Sequence, residues 1–202
     1  MKIICIGRNY ADHAKELKNE VPKSPVFFLK PDTALLKNNT PFFIPNHTQN
    51  VHHELEVVVK INRLGKHIEE RFAHKYYNEI TVGIDFTARD VQEDCKKKGL
   101  PWEIAKAFDG SAPLGKFIDV ETLDPRNLSF TLEKNGSVQQ DGNTSDMLFN
   151  IDQIIAYISK FMTLKIGDLI YTGTPAGVSQ VVKGDVLVGK LEGQQLISCK
   201  VL

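Results

Sequence analysis

The chain has 202 residues but little cysteine, and it has no long hydrophobic run. Cys5, Cys95 and Cys199 are far apart and form no C-x-x-C pair, so the sequence predicts neither a zinc site nor a disulfide framework. The longest apolar runs, such as residues 57–59, are much shorter than the roughly 20 residues of a membrane-spanning helix. We therefore expect reduced thiols and no transmembrane segment.

An excess of charge of one sign is also missing. The 25 basic and 25 acidic side chains give a formal net charge of +0 and a pI of about 7.0. Proteins that bind nucleic acid need a basic surface, so a nucleic-acid partner is not expected. The apolar stretch over residues 3–6 is too short for the hydrophobic region of a secretory signal. These observations predict a cytoplasmic protein that binds neither nucleic acid nor membrane.

Strand patterns dominate what the sequence does contain. Residues 52–61 read HHELEVVVKI and alternate, so one face carries apolar side chains. Those side chains are Leu55, Val57, Val59 and Ile61. Asn135 and Gly136 separate two further strand-like runs and form a strong hairpin signal. We predict a mostly β protein.

Helical patterns are short and few. The sequence predicts one helix over residues 10–17 and a second over residues 86–98, which Gly99 would end. A third is expected after Asp152, which would serve as its N-cap. Because no repeat or linker interrupts these elements, we expect a single domain over residues 1–202.

Two glutamates in the alternating strand are the strongest candidates for chemistry. Glu54 and Glu56 lie two residues apart, so their side chains leave the same face about 7 Å apart. A hard divalent cation such as Mg²⁺ would neutralise this pair, although a solvent-exposed face is the commoner explanation. Asp85 follows an apolar run and is either a third ligand or a helix N-cap. Spacing alone does not place it beside the glutamates.

The helix after Asp85 has a polar and an apolar face. Arg89 and Gln92 share the polar face, opposite a predicted buried stripe of Ala88, Val91 and Cys95. A solvated surface is the usual role of such a face, and an anion-binding surface beside a metal is the alternative.

Three further sites combine chemical groups with neighbours that could tune them. His13 and Glu16 lie one helical turn apart, an arrangement that orients a general base but also occurs in surface pairs. Lys106 lies in a small, apolar segment and either reaches solvent or stabilises charge. Thr174 lies in the loop GTPAG, which allows close approach of a ligand to the backbone or forms only a turn.

Taken in order, five segments resemble the fumarylacetoacetate hydrolase superfamily, and closely its small acylpyruvase and oxaloacetate decarboxylase branch. They extend from residue 7 to residue 178 and read GRNYADHAKE, PVFFLKP, HHELEVVV, GIDFTARDVQEDCKKKGLPWEIAKAFD and YTGTPAGV. The resemblance implies a mixed β-sandwich roll with short helices, one catalytic domain over residues 1–202 and a homodimer.

The resemblance also implies roles for individual residues. Glu54, Glu56 and Asp85 match the family's Mg²⁺ ligands, where Mn²⁺ is a possible substitute. His13 and Glu16 match a pair on a lid helix that orients the attacking water. The remaining matches are Lys106 beside the substrate carbonyl and, as substrate-binding residues, Arg8, Arg89, Gln92 and Thr174.

The implied substrate is a small 2-oxo acid. The expected reaction is hydrolysis of the C–C bond of an acylpyruvate such as fumarylpyruvate or acetylpyruvate, decarboxylation of oxaloacetate, or both, through a metal-bound pyruvate enolate. The alternative is an isomerase of 2-hydroxydienoates or an oxaloacetate keto–enol tautomerase, which needs only proton transfer. A metal-binding relative without activity is less favoured, because every catalytic-type residue is present.

Overall fold

A computed structural model describes residues 1–16 and 20–202 of the chain. Its strands are β1 Ile3–Gly7, β2 Val26–Lys30, β3 Leu35–Leu36, β4 Val51–His53, β5 Leu55–Ile61, β6 Tyr77–Ile84, β7 Thr87–Ala88, β8 Ala112–Pro113, β9 Ile118–Asp119, β10 Ser129–Lys134, β11 Ser137–Asn143, β12 Leu169–Tyr171, β13 Ser179–Gln180, β14 Val186–Leu191 and β15 Gln194–Lys200. Its α-helices are α1 Ala11–Glu16, α2 Glu70–Ala73, α3 Arg89–Lys98, α4 Glu103–Lys106 and α5 Ile151–Ile158. Residue 17, the last of the first predicted helix, lies outside the described residues.

The strands of the described residues form four sheets, two large and two small, the small ones being β13-β4-β7 and β3-β8. The first large sheet has the order β2-β1-β12-β5-β6-β9 and is mixed, because β1 and β12 are parallel and the other neighbours are antiparallel. The second large sheet is antiparallel, with the order β11-β10-β14-β15, and packs on β5 and β6. This arrangement confirms the expected β-sandwich with short helices.

Strand β5 lies at the centre of the molecule and is buried on both faces. Val57 and Val59 belong to the core between the two large sheets. Val58, on the opposite face, packs with Leu169 and Tyr171 in a second apolar cluster. The predicted alternation is therefore right, but the face that carries the glutamates is not a solvated one.

The hairpin prediction is confirmed. Strands β10 and β11 pair on either side of Asn135 and Gly136, whose φ angles are 54° and 82°. Two consecutive positive φ angles define the type I′ turn that matches the twist of a hairpin. The hairpin matters for the site, because β11 carries a glutamine, Gln140, that donates to Thr174 in the pocket.

The predicted cap at Asp152 is wrong, and so is the alternative that made Asp85 a cap. Helix α3 begins at Arg89 with Ala88 as its N-cap, because residues 87–88 pair with β4 and delay the helix beyond Asp85. Helix α5 is capped by Asn150, whose side chain accepts from the backbone of Gln153, and not by Asp152. Asp85 and Asp152 are therefore not used as helix caps.

Among residues 1–16 and 20–202, no helix combines the length and the apolar character needed to cross a membrane. The single domain, the homodimer and the cytoplasmic location stay predictions.

Candidate active site

Three carboxylates meet at the junction of β5 and β6. Glu54 immediately precedes β5 and Glu56 lies in it. The antiparallel register pairs Leu55 with Ile84, and the N–H of Asp85 donates to the carbonyl of Glu54 at 2.8 Å. Asp85 thus lies beside the glutamates, although spacing in the sequence could not place it there.

These three residues, termed the acidic triad, form a compact donor set. One carboxylate oxygen from each lies within 4.8 Å of the others, and all three side chains are buried. Buried carboxylates are costly unless cations neutralise them. Oxygen-only donors suit a hard cation such as Mg²⁺ or Mn²⁺, so the triad fits the predicted metal site.

Cationic side chains surround two members of the triad. The Nζ atom of Lys106 lies 2.8 Å from Oε2 of Glu54 and 2.6 Å from Oδ2 of Asp85, and Arg89 also pairs with Glu54. Burial would raise the pKa of Glu54, but attraction to Lys106 and Arg89 holds that pKa well below its ordinary value. Burial would likewise lower the pKa of Lys106, but Asp85 and Glu54 raise it.

Glu56 has no such partner. Among the ion pairs of residues 1–16 and 20–202, none includes Glu56. Burial, followed by repulsion from Asp85 and Glu54, raises the pKa of Glu56 well above its ordinary value. Of the triad, Glu56 is therefore the carboxylate whose ionisation gains most from an added cation.

A glycine brings the backbone to Glu56. The N–H of Gly173 donates to Oε2 of Glu56 at 2.7 Å. Gly173 has a φ of +102°, and a Cβ atom there would lie 2.7 Å from the Cβ of Asn9. A larger residue would be strained and would push this loop away from the carboxylate.

Lys30 is a site residue that the sequence analysis missed. It ends β2, is buried, and places its Nζ atom 2.8 Å from Oδ1 of Asp85. Its Nζ also donates to the carbonyl of Lys106 and to the carbonyl and hydroxyl of Ser111, the last two at 3.0 and 2.9 Å. The ammonium of Lys30 thus forms an ion pair with Asp85 and holds the segment that carries Lys106 by hydrogen bonds. A lysine at the end of an apolar strand, in the matching segment PVFFLKP, was the available signal.

Replacing Lys30 by methionine is expected to lower the free energy of unfolding by about 3–5 kcal/mol, because Asp85 would be left buried without this partner. Urea denaturation of the chelator-treated protein measures the change. Lys23→Met, at an exposed position nearby, serves as the control and should differ from the wild type by less than about 0.5 kcal/mol. A similarly small change for Lys30→Met would contradict the assigned role.

His13 and Glu16 occupy the same face of α1. Nδ1 of His13 lies 3.2 Å from Oε2 of Glu16, and Oε1 of Glu16 accepts from the N–H of Gly177 at 3.1 Å. Burial lowers the pKa of His13, and Glu54 and Glu16 offset part of this effect. The lowered pKa favours the neutral imidazole. His13 lines the same pocket as the acidic triad.

The polar face of α3 is buried, contrary to the commoner expectation. Arg89, Gln92 and Cys95 are buried, whereas Val91 is half-buried, so the predicted stripe of Ala88, Val91 and Cys95 is wrong in part. The polar face contacts the triad: Arg89 pairs with Glu54 and donates to Oε1 of Gln92 at 2.7 Å. This face is therefore not a solvated surface, and its role in binding an anion beside a metal stays a prediction.

The remaining predicted residues, Arg8 and Thr174, also line this pocket. Arg8 has a φ of 60°, a strained conformation for a residue with a side chain, and its guanidinium lies 5.9 Å from the ring centre of Trp102. The structure thus brings every sequence-predicted site residue to one pocket except Glu16, which contacts His13 beside it. Their chemical roles stay predictions. Lining residues without a predicted role include Phe28, Lys96 and Trp102.

Comparison with protein families gives a match to the fumarylacetoacetate (FAA) hydrolase C-terminal family over residues 2–201. The chain belongs to this family. Membership confirms the resemblance that the five sequence segments indicated, and members of the family are enzymes.

Relatives of the chain within the fumarylacetoacetate hydrolase family include enzymes named oxaloacetate tautomerase. The mitochondrial oxaloacetate tautomerase of Bos taurus is 45% identical to this chain over 200 residues, which cover 98% of this chain and 90% of the relative. The oxaloacetate tautomerase of Escherichia coli (strain K12) is 45% identical over 197 residues, covering 96% of this chain and 90% of the relative.

Solved structures share the fold of this chain, but their names give different reactions. A fumarylpyruvate hydrolase from Pseudomonas aeruginosa, in complex with Mn²⁺ and pyruvate, has a TM-score of 0.95 and 34% identity and covers 100% of this chain and 89% of that one. A 5-carboxymethyl-2-hydroxymuconate delta-isomerase from Mycobacterium smegmatis has a TM-score of 0.88 and 38% identity, with coverage of 100% and 78%.

Proposed function

We propose that the chain is a divalent-metal-dependent oxaloacetate keto–enol tautomerase. The observation that carries the proposal is a buried histidine, His13, that lines the same pocket as the acidic triad. A base and a cation site are the two groups that proton transfer between the keto and enol forms needs. This reaction breaks no bond between carbons. The names of the relatives at about 45% identity support the tautomerase alternative over the hydrolase and decarboxylase that the sequence analysis placed first.

Binding of a dicarboxylate is supported by two arginines in the pocket. The Nε atoms of Arg8 and Arg89 are buried, and neither has a hydrogen-bond partner in the part of the chain that the structure describes. Unsatisfied buried donors are costly, and a carboxylate is the group that guanidinium N–H donors bind best. An anionic substrate would satisfy both arginines.

Glu54, Glu56 and Asp85 would hold the metal. When bound, a divalent cation supplies Lewis-acid stabilisation of the negative charge that develops on the keto oxygen. We propose Mg²⁺ with Mn²⁺ as a substitute; Mn²⁺ is the ion named in the fumarylpyruvate hydrolase structure.

His13 would move the proton, and Lys106 would stabilise the charge on the oxygen. Because Nδ1 of His13 faces the carboxylate of Glu16, the proton of the neutral imidazole stays on Nδ1 and the lone pair lies on Nε2. Nε2 would take a proton from the methylene carbon of the keto form. His13 would then deliver this proton to the keto oxygen, which becomes the enol hydroxyl. The ammonium of Lys106, which its raised pKa keeps charged, would stabilise the negative charge that develops on that oxygen. In the reverse reaction the proton moves from the hydroxyl to the carbon.

Hydrolysis of acylpyruvates is the second candidate. The carboxylate of Glu16 orients His13 as it would orient a base that activates water, and a fumarylpyruvate hydrolase shares the fold. Oxaloacetate decarboxylation would use the same cation site without a base. We propose a homodimer in the cytoplasm for whichever reaction dominates.

Two absorbance assays on the purified protein separate these activities. We expect accelerated decay of the enol absorbance of oxaloacetate with Mg²⁺ or Mn²⁺, loss of this acceleration with a chelator, and no matching formation of pyruvate in a lactate dehydrogenase-coupled assay. Faster release of pyruvate from acetylpyruvate would identify a hydrolase, and faster release from oxaloacetate a decarboxylase. Absence of all three activities with either metal would refute the proposal.

A further inference from the structure

A buried glutamine on β11, Gln140, connects strand β5 to the pocket. Gln140 is 1% exposed. Its Oε1 atom accepts from the N–H of Leu55, between the two glutamates, at 2.9 Å. Its Nε2 atom donates to Oγ1 of Thr174 at 2.7 Å and to the carbonyl of Pro175 at 3.1 Å. Gln140 itself does not line the pocket, but the hydroxyl to which it donates belongs to Thr174, which does.

The orientation of this amide follows from its backbone partners. The N–H of Leu55 can only donate and the carbonyl of Pro175 can only accept, so the amide oxygen must face Leu55 and the NH₂ group must face Pro175. His53 agrees with this assignment, because its Nδ1 atom lies 3.0 Å from the same Oε1 and can donate a proton to it.

The polarity of the Thr174 hydroxyl follows in turn. Oγ1 accepts a hydrogen bond from Gln140, so its own proton must point to another acceptor. In residues 1–16 and 20–202, Oγ1 of Thr174 has no further hydrogen-bond partner. Thr174 is buried and lines the pocket with Arg8 and His13. A ligand oxygen that carries no proton, such as a carboxylate oxygen, is the acceptor that this hydroxyl can serve.

We propose that Gln140 is a positioning residue that holds the Thr174 hydroxyl as a donor toward a carboxylate of the substrate. This inference rests on the proposed function, because it concerns how the same pocket selects an anionic 2-oxo acid. It assigns the glutamine no contact with the substrate and no part in proton transfer.

A single substitution reverses the polarity of this contact. Gln140→Glu keeps an oxygen that accepts from Leu55 and His53 but replaces the NH₂ group by a second acceptor. The Thr174 hydroxyl would then donate to the new carboxylate and turn its lone pairs to the ligand. We expect an increase of about tenfold or more in the KM for oxaloacetate, with a smaller change in kcat. Direct binding of pyruvate with Mg²⁺ can be followed by the fluorescence of Trp102, the single tryptophan of the chain, which lines the pocket.

Two controls separate positioning from added charge and from damage to the fold. Gln139→Glu makes the same change at the adjacent residue, whose side chain lies outside the pocket, and should leave KM within about twofold. Thr174→Val removes the hydroxyl that the glutamine orients. In that background Gln140→Glu should raise KM by less than about twofold further, because no hydroxyl remains to be turned.

The outcomes distinguish the inference from the function on which it rests. If the KM of the double variant rises by the product of the two single effects, Gln140→Glu and Thr174→Val act independently. That result would overturn the positioning role and assign the effect of Gln140→Glu to charge or structure in general. A wild-type protein that neither binds pyruvate nor converts oxaloacetate would refute the proposed function, and the inference with it. If Gln140→Glu does not fold, Gln140→Met takes its place in the same cycle, and multiplicative effects there would again overturn the inference.

Discussion

Replacing Glu56 by glutamine is expected to lower turnover by about 10³-fold or more while leaving the fold intact. Glu56 is the triad member without a cationic side chain beside it, so its charge is the one most dependent on a metal. Glutamine keeps an oxygen for the N–H of Gly173 but removes the anionic ligand. Lewis-acid stabilisation is worth several kcal/mol, and each ~1.4 kcal/mol corresponds to a factor of ten in rate.

Thermal unfolding with and without metal tests this expectation apart from activity. The raised pKa of Glu56 means that its protonated form stabilises the metal-free fold, and this stabilisation is lost as pH rises through that pKa. At pH 8 the metal-free variant should therefore be at least as stable as the metal-free wild type. Added Mg²⁺ or Mn²⁺ should raise the melting temperature of the wild type, as binding to the native state requires, and leave that of the variant unchanged.

Glu93→Gln provides the matched control. Glu93 is exposed on α3, the helix that also carries Arg89, and it does not line the pocket. This variant should keep both the activity and the metal-dependent stabilisation of the wild type. If Glu56→Gln also kept both, the metal would not be bound by the acidic triad.

Local signals predicted much of the fold because they depend on neighbours in sequence. The hairpin at Asn135 and Gly136 needs two consecutive residues that accept positive φ, and Gly99 ends α3 with a φ of 65°. The errors at the helix starts have a different origin. Helix α5 is capped by Asn150 and not by Asp152, because Asn150 forms a capping box with Gln153. Helices α2 and α4 have four residues each, too few to show a helical period.

Local sequence patterns predicted less of the site than of the fold, because the contacts of the site join segments that are distant in the sequence. Asp85 reaches the glutamates only through the antiparallel register of β5 and β6. The resemblance to the family gave that grouping, whereas spacing did not. Lys30 and Gln140 were missed because each contacts a partner that is distant in the sequence: Lys30 pairs with Asp85, and Gln140 donates to Thr174, 34 positions away. A buried polar side chain of this kind is recognised from its partners and not from its neighbours in sequence.

Replacing His13 by alanine is expected to affect the candidate reactions unequally. Tautomerisation and acylpyruvate hydrolysis both need a base, either for the substrate carbon or for water, and a positioned base contributes about 10²–10⁴-fold. Decarboxylation of oxaloacetate requires no proton abstraction from carbon. His13→Ala should therefore lower the first two activities by about two orders of magnitude or more, and decarboxylation by clearly less. Metal-dependent thermal stabilisation should stay near that of the wild type, because His13 is not part of the acidic triad.

The pH profile and two further variants of α1 decide whether His13 acts as the base. Because burial lowers the pKa of His13 from 6.5, the acid limb of kcat/KM in the wild type should lie below pH 6.5, and it should disappear in His13→Ala. Glu16→Gln should retain the limb with a lower rate, since it weakens the orientation of the imidazole but keeps the imidazole itself. Asp12→Ala, at an exposed position of the same helix, should match the wild type. Equal loss of all three activities in His13→Ala would instead assign the histidine to substrate orientation or closure of the pocket, and no loss of any activity would remove it from the site.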